Sequence, residues 1–355
     1  MSGAHGSRPN LFGFEPPGSG RQSVAQRRAP VYVKIILSCT RAAYAAVSIH
    51  SVPPGNRAGS RDERPMTRKL ASFSEHRVPA AQGRVYVRNY AGQGDPMVLM
   101  HGFPDNQRIY EEVIPQLIAA GRRVIAFDFL GFGESDRPTG AIYDFRQQLD
   151  DLQSVADELA LGQIIPVAHD ASGPAAINFA LANPARVSSI VLLNCLYAAG
   201  PSIRVPELVM LFATSSLREL SAALLKDDDQ MRWILEFQQL RFAAALPVAL
   251  RRQLETTTAQ IINENLRGEK SSAAAFAQMA AQLLPEVRGN AARLSMLTAI
   301  NVPVKIIWGE HDPYLNVGVA RELLSHLPLA SLDLVDAGHW LQLDQPEEVA
   351  RLMLA

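Results

Sequence analysis

A series of short apolar runs, spaced by helix-like segments, constrains this chain more than any other feature. "PMVLMHG" (96–102), "RVIAFDF" (123–129), "QIIPVAH" (163–169), "RVSSIVLLNC" (186–195) and "VPVKIIWG" (302–309) are nearly continuous in apolar residues and end at turn-forming or polar positions. Strands buried on both faces read this way, because helices cover both sides of a parallel sheet. Between them lie segments with helical spacing, such as "YEEVIPQLIAAG" (110–121), a polar stretch at 144–161 and "GPAAINFALANP" (173–184). Strand and helix therefore alternate, the pattern of a parallel, doubly covered α/β sheet. "RVYVRNY" (84–90) alternates apolar and polar residues instead, as a half-buried strand does.

The alternation stops near Gly200, and residues 200–298 carry helical patterns alone. It resumes with the strand at 302–309, a helix at 317–327, the strand "ASLDLVD" (330–336) and a helix opening at "QPEEVARLML" (345–354). This order predicts one α/β domain, 66–199 and 299–355, with a helical cap inserted at 200–298. Hydrophobic residues make up 48% of the 355 positions and charged residues 19%, enough apolar material for a core of that size.

Residues 1–65 differ from the rest. They carry nine Lys/Arg against three Asp/Glu, are rich in Gly, Pro, Ser and Arg, and show no sustained periodicity. They read as a disordered basic extension. The stretch 31–49 is apolar but broken by Lys34 and Arg41, which argues against a membrane span. An unstructured extension is preferred to a signal or transit segment, and Met66, just before recognisable structure, is an alternative start. The net charge of −1 gives no reason to expect nucleic acid as a partner. Cys39 and Cys195 supply neither a disulfide framework nor a metal cluster, and the eight histidines show no metal-ligand spacing. A cytoplasmic location and no cofactor are expected.

Four polar groups fall at C-terminal ends of predicted strands, where parallel sheets place their sites: the His101–Gly102 pair, Asp170, Asp312 and His339. Within "VAHDASGP" (167–174) either Asp170 or Ser172 could be a nucleophile. A nucleophile on a tight strand-to-helix turn needs small residues two before and two after it. Asp170 is flanked by Ala168 and Ser172, whereas Ser172 is flanked by Asp170 and Pro174. Asp170 also follows the apolar run directly, so Asp170 is preferred. Taken alone it would read as a helix N-cap. The matching positions of Asp312 in "WGEHDP" and His339 in "DAGHW" favour chemistry. A carboxylate nucleophile forms an ester on the enzyme, which water then hydrolyses. His339 is the expected general base, supported by Asp312, with the backbone N–H groups of Phe103 and Ala171 as oxyanion donors.

These motifs resemble the α/β-hydrolase superfamily, in its haloalkane dehalogenase and epoxide hydrolase branch. The resemblance rests on "HGFPD" (101–105), "DFLGFGESDRP" (128–138), "VAHDASGP", "WGEHDP" (308–313) and "DAGHWLQLDQPEEV" (336–349), and covers about residues 78–355. It implies the aspartate nucleophile at Asp170, the acid at Asp312, the base at His339 and a helical cap at 200–298. Members commonly carry Trp after the nucleophile, where dehalogenases use its indole N–H to hold the halide; here the residue is Ala171. The Arg that follows the nucleophile in haloacetate dehalogenases is absent as well. Epoxide hydrolases use cap tyrosines as the acid, and no Tyr lies between Tyr197 and Tyr314. Tyr110, Tyr143 and Tyr197 could serve only if loops bring them close.

A halide leaves with less help than an alkoxide, so a haloalkane dehalogenase-like hydrolase acting on a small apolar substrate and water is the leading expectation. An epoxide hydrolase with an acid from outside the cap, a serine esterase using Ser172 and a non-catalytic binding protein are the alternatives. Candidate substrate contacts are His101, Asn194, Trp233 (the one tryptophan of the cap, either a halide donor or a packing residue) and Trp340.

Overall fold

A computed structural model describes residues 72–355, residue 269 excepted. The basic extension at 1–65, its apolar stretch and Cys39 lie outside the described residues. Eight strands form one sheet in the order β1-β2-β4-β3-β5-β6-β7-β8. They are β1 (Ser74–Ala80), β2 (Gly83–Tyr90), β3 (Gln93–Met100), β4 (Arg122–Asp128), β5 (Ile165–Asp170), β6 (Ile190–Cys195), β7 (Val304–Gly309) and β8 (Ala330–Val335). β1 and β2 pair antiparallel, β2 meets β4 antiparallel, and every pairing from β4 to β8 is parallel. Residues 97–100 of β3 sit between 124–127 of β4 and 165–168 of β5, and all of these are buried. The apolar runs read from the sequence are these central strands.

β1 is a difference from the sequence reading, which found no strand there. Its segment "SEHRVPA" is polar and includes Pro79, a composition an edge strand tolerates because one side of its backbone needs no partner. The helix expected at 110–121 is shorter. A 3₁₀ turn (Gln107–Tyr110) precedes α1 (Ile114–Ala119), and the ring of Pro115, in the first turn, cannot supply an N–H to extend the helix backwards. α2 (Phe145–Glu158) starts where the Asp144 side chain accepts from the Gln147 N–H. α3 (Gly173–Ala182) follows β5 directly.

Between β6 and β7 the chain is helical: α4 (Glu207–Ala213), α5 (Arg218–Leu224), α6 (Asp228–Ala245), α7 (Val248–Gln253), α8 (Ala259–Leu266) and α9 (Ala273–Ala291). α10 (Val317–Leu324), α11 (Leu341–Asp344) and α12 (Pro346–Leu354) complete the fold. No helix of the described residues is long and apolar enough to cross a membrane.

Two contacts seat the inserted helices on the sheet. Phe276 of α9 is fully buried and stacks edge-on against both Phe103 and Phe212. Burying a ring of this size stabilises by roughly 1.5–3 kcal/mol. Asn265 of α8 donates to the backbone oxygens of Pro104 and Asp105 at 2.8 and 2.9 Å and accepts from the Gly133 N–H and the Ser272 hydroxyl. One buried side chain thus ties this layer to the loops after β3 and β4. The chain steps from β3 to β4 on one side and then crosses to β5 on the other. The loops after β3 and β5 consequently diverge, leaving a crevice at the carboxyl ends of the strands.

Candidate active site

The crevice opens into an apolar cavity of about 70 Å³ between the sheet and the helical layer. Leu208, Val209, Leu235, Phe242, Ile262 and Phe276 are among its apolar walls. Asp170 and His339 stand on its floor, and Arg204, Gln238, Gln239 and Tyr314 add polar side chains to its lining.

Asp170 ends β5 with φ of +51°, in the left-handed region that side chains rarely adopt, where the β5–β6 register shifts. Such a conformation costs on the order of 1–3 kcal/mol and persists when the surroundings impose it. The surroundings are tight. A Cβ on Gly102 would lie 2.4 Å from the Asp170 carboxylate, and one on Gly173 would lie 2.2 Å from the Leu196 carbonyl. The N–H of Phe103 donates to Asp170 Oδ2 at 3.2 Å, and the neighbouring Ala171 amide favours charge on the same carboxylate. Both amides expected as oxyanion donors therefore converge on one group. Ser172 points elsewhere: its hydroxyl is wholly buried, accepts from the His169 N–H and faces the backbone oxygens of His169 and Met100.

His339 follows β8, and its Nδ1 donates to Asp312 Oδ2 at 2.6 Å. Asp312 is saturated with donors, taking Asn194 Nδ2 on Oδ2 and the backbone N–H groups of Tyr314 and Leu315 on Oδ1. His339 Nε2 is left to face the cavity.

The charges are mutually adjusted. Burial raises the Asp170 carboxyl to about 6, against the pull of His339 and of the two amides. Burial opposes charge on His339, but Asp312 and then Asp170 outweigh it and hold the imidazole at about 9. Burial also acts against ionised Asp312, yet His339, Asn194 and the Tyr314 amide keep its carboxyl below the usual range. At neutral pH the resting state is two carboxylates flanking one imidazolium.

Three sequence-derived substrate contacts are corrected. Trp233 is 54% exposed on α6, stacked on Phe237 and outside the cavity, because its position falls on the solvent face of that helix. Asn194 is fully buried beneath the site, bonding Asp312 through Nδ2 and the Gly309 N–H through Oδ1 at 2.7 Å. It orients the acid and does not reach the cavity. His101 is also fully buried below the floor; its Nε2 accepts from the Phe129 N–H, so its Nδ1–H donates to the Gly102 oxygen. Trp340 does line the cavity, but its indole N–H is committed to Asp105 Oδ2 at 2.8 Å.

Two residues were missed by sequence reasoning. His169 Nε2 donates to the backbone oxygen of His339 at 2.9 Å, and burial, with repulsion from His339, lowers its own imidazole to about 4. It braces the His339 loop as a neutral side chain. Tyr314 bounds the span that holds no cap tyrosine, yet its ring reaches the cavity wall against Phe242. Its position two residues after Asp312 was the available signal. Among the described residues no group of three or more His, Cys, Asp or Glu is arranged to hold a metal ion.

Residues 95–346 match the family model described as alpha/beta hydrolase fold. The chain is 26% identical over 286 residues to epoxide hydrolase 3 of Xenopus tropicalis, covering 75% of this chain and 73% of that protein. It is 27% identical over 278 residues to a haloalkane dehalogenase of Mycobacterium marinum, covering 76% and 87%. The solved structure of the epoxide hydrolase CorEH superposes with a TM-score of 0.64 at 22% identity, over 80% of this chain and 98% of that one, a likeness of fold. The chain belongs to the α/β-hydrolase family. It is a hydrolase of the branch that holds the haloalkane dehalogenases and epoxide hydrolases.

Proposed function

We propose that this hydrolase acts on a small apolar substrate through an ester formed on Asp170. The observation carrying this reading is that Asp170 and His339 both open into the apolar cavity, while the hydroxyl of Ser172 is sealed among backbone groups. A carboxylate oxygen of Asp170 attacks an electrophilic carbon, and the bond to the leaving group breaks. His339 then removes a proton from water, whose oxygen adds to the ester carbonyl carbon. The Phe103 and Ala171 amides stabilise the resulting oxyanion, and collapse releases an alcohol. The test is intact-protein mass spectrometry of His339→Gln incubated with epoxides and with haloalkanes. A stable adduct mapping to Asp170 is expected, and its absence from a folded variant with every compound would overturn the reading.

An epoxide fits the site better than a haloalkane, reversing the order of preference drawn from sequence. A departing halide needs N–H donors; Ala171 offers no side-chain donor, Trp233 is outside and the Trp340 indole is occupied, which leaves Arg204 and Gln239 of the lining. A departing alkoxide needs a proton, and the Tyr314 hydroxyl in the cavity wall can rotate its O–H from Glu207 to the substrate, whereas the Trp340 N–H is fixed in its ring plane on Asp105. The Tyr314 hydroxyl donates to Glu207 Oε2 at 2.5 Å and accepts from Gln238 Nε2 at 2.7 Å. Burial and then the Glu207 carboxylate push the phenol up to about 12, so it stays loaded at neutral pH. An alkoxide, the stronger base, takes this proton as the ring opens; the resting proton of His339 reloads the phenol and leaves the imidazole neutral for hydrolysis, and the Asp170 carboxyl formed by hydrolysis returns a proton to His339.

Tyr314→Phe is expected to slow ester formation from epoxides by roughly 100-fold or more. Ester formation from a haloalkane, which needs no acid, should change little. Rapid-quench mass spectrometry with both electrophiles checks this, and equal losses with the two would exclude Tyr314 as the acid.

A further inference from the structure

A second, smaller cavity meets the first at His339. The two share Phe242, His339 and Trp340, whose side chains stand between them. Leu246 and Leu254 form the apolar side of the small cavity, and His311 and Asp344 form its polar side. Its free volume, about 10 Å³, is at the lower limit of what one water molecule needs. The chemistry of its walls also suits water, which requires several polar partners to be held in a protein interior. Asp344 accepts from the Gly338 N–H at 2.8 Å, in the turn that carries His339. His311 is partly exposed and bonds the exposed Asp336 at 2.7 Å, so the polar side of the cavity faces solvent.

The reaction creates a supply problem that this cavity answers. Once an apolar substrate is bonded to Asp170, it occupies the large cavity, whose walls are mostly apolar. The water that cleaves the ester must nevertheless reach His339. We propose that the small cavity bounded by Leu246, Leu254, His311 and Asp344 is the holding site and entry route for the hydrolytic water. This inference rests on the aspartyl-ester reading. Released from this site past His339 into the large cavity, the water passes a proton to His339 Nε2, and its oxygen bonds to Cγ of Asp170. The ester C–O bond then breaks, the product alkoxide takes the proton from His339, and the new oxygen remains in the carboxyl group.

The test enlarges a wall residue that lies outside the reacting groups. Leu254 is 2% exposed and borders the small cavity alone. In the series Leu254→Met, Leu254→Phe and Leu254→Trp, with His339 intact, ester formation and ester hydrolysis are followed separately by rapid-quench mass spectrometry with an epoxide. Hydrolysis is expected to slow with side-chain size, by about tenfold or more for the aromatic variants, so that adduct accumulates and kcat and KM fall together. Ester formation should stay within about twofold of the parent, which also reports that each variant is folded. Leu254→Ala, which widens the cavity, should hydrolyse the ester at least as fast as the parent. Unchanged hydrolysis in a folded aromatic variant would overturn the proposal, as would both steps slowing in parallel. If the larger variants do not fold, the Met and Ala variants decide it by the direction of their hydrolysis rates. Absence of any adduct in His339→Gln would instead count against the ester itself, so the two failures are distinct.

Discussion

Asp170→Asn is expected to lose turnover by at least about 10⁴-fold, with no ester detectable by mass spectrometry. The neutral amide keeps the shape of the carboxylate but is a far weaker nucleophile at carbon. Asparagine tolerates the left-handed backbone at this position as readily as aspartate does, so the turn itself should survive. The stability change has the opposite sign to the activity change. Burial holds the Asp170 carboxyl at about 6, above its ordinary value, so the folded state disfavours the ionised group at neutral pH. Asp170→Asn should therefore melt at or above the parent Tm at pH 8, with any advantage shrinking as the pH falls below about 6 and Asp170 regains its proton. Thermal melts across pH 5–8 check the sign. Retained turnover in a folded Asp170→Asn protein would remove Asp170 from the mechanism.

The second large effect is on pH dependence, read one half-reaction at a time. Attack requires ionised Asp170, so ester formation by the parent should rise with pH through a midpoint near 6. His339 lowers that midpoint by attraction, and His339→Gln removes it. Ester formation in the variant should therefore have its midpoint shifted upward, while ester hydrolysis becomes undetectable. Hydrolysis in the parent needs neutral His339, held up at about 9 in the resting state by Asp312 and Asp170. Forming the ester erases the Asp170 charge, so the imidazole loses one of its supports and becomes easier to deprotonate at the step that uses it as a base. Single-turnover hydrolysis should accordingly rise with pH through a midpoint below 9. A His339→Gln midpoint at or below that of the parent would contradict the coupling.

What could be read from sequence follows from which forces act locally. The central strands were legible because a strand covered on both faces is apolar throughout, and β1 was not, because an edge strand can be polar. Asp170 could be separated from Ser172 by the size of its flanking residues, a steric property of one turn. Tyr314, Asn194 and Trp233 were misjudged because their roles depend on contacts far away in sequence. Asn194 meets Asp312 across β6 and β7, Tyr314 meets Glu207 and Gln238 from the inserted helices, and Trp233 is turned outward by the facing of α6. The Ala- and Leu-rich helices between β6 and β7 carry no pattern that says which face meets the sheet.

The four hydrogen bonds of Asn265 have a consequence for how molecules come and go. Lifting α8 away from the sheet would leave buried partners unmade, at about 1–3 kcal/mol each, and would disturb the loop whose Phe103 amide holds Asp170. That end of the helical layer is pinned. Opening is left to α4 and α6, whose links to the core run through Glu207, Gln238 and Tyr314 near the rim. Substitutions at Asn265 should loosen that pin and slow the bond-making step itself.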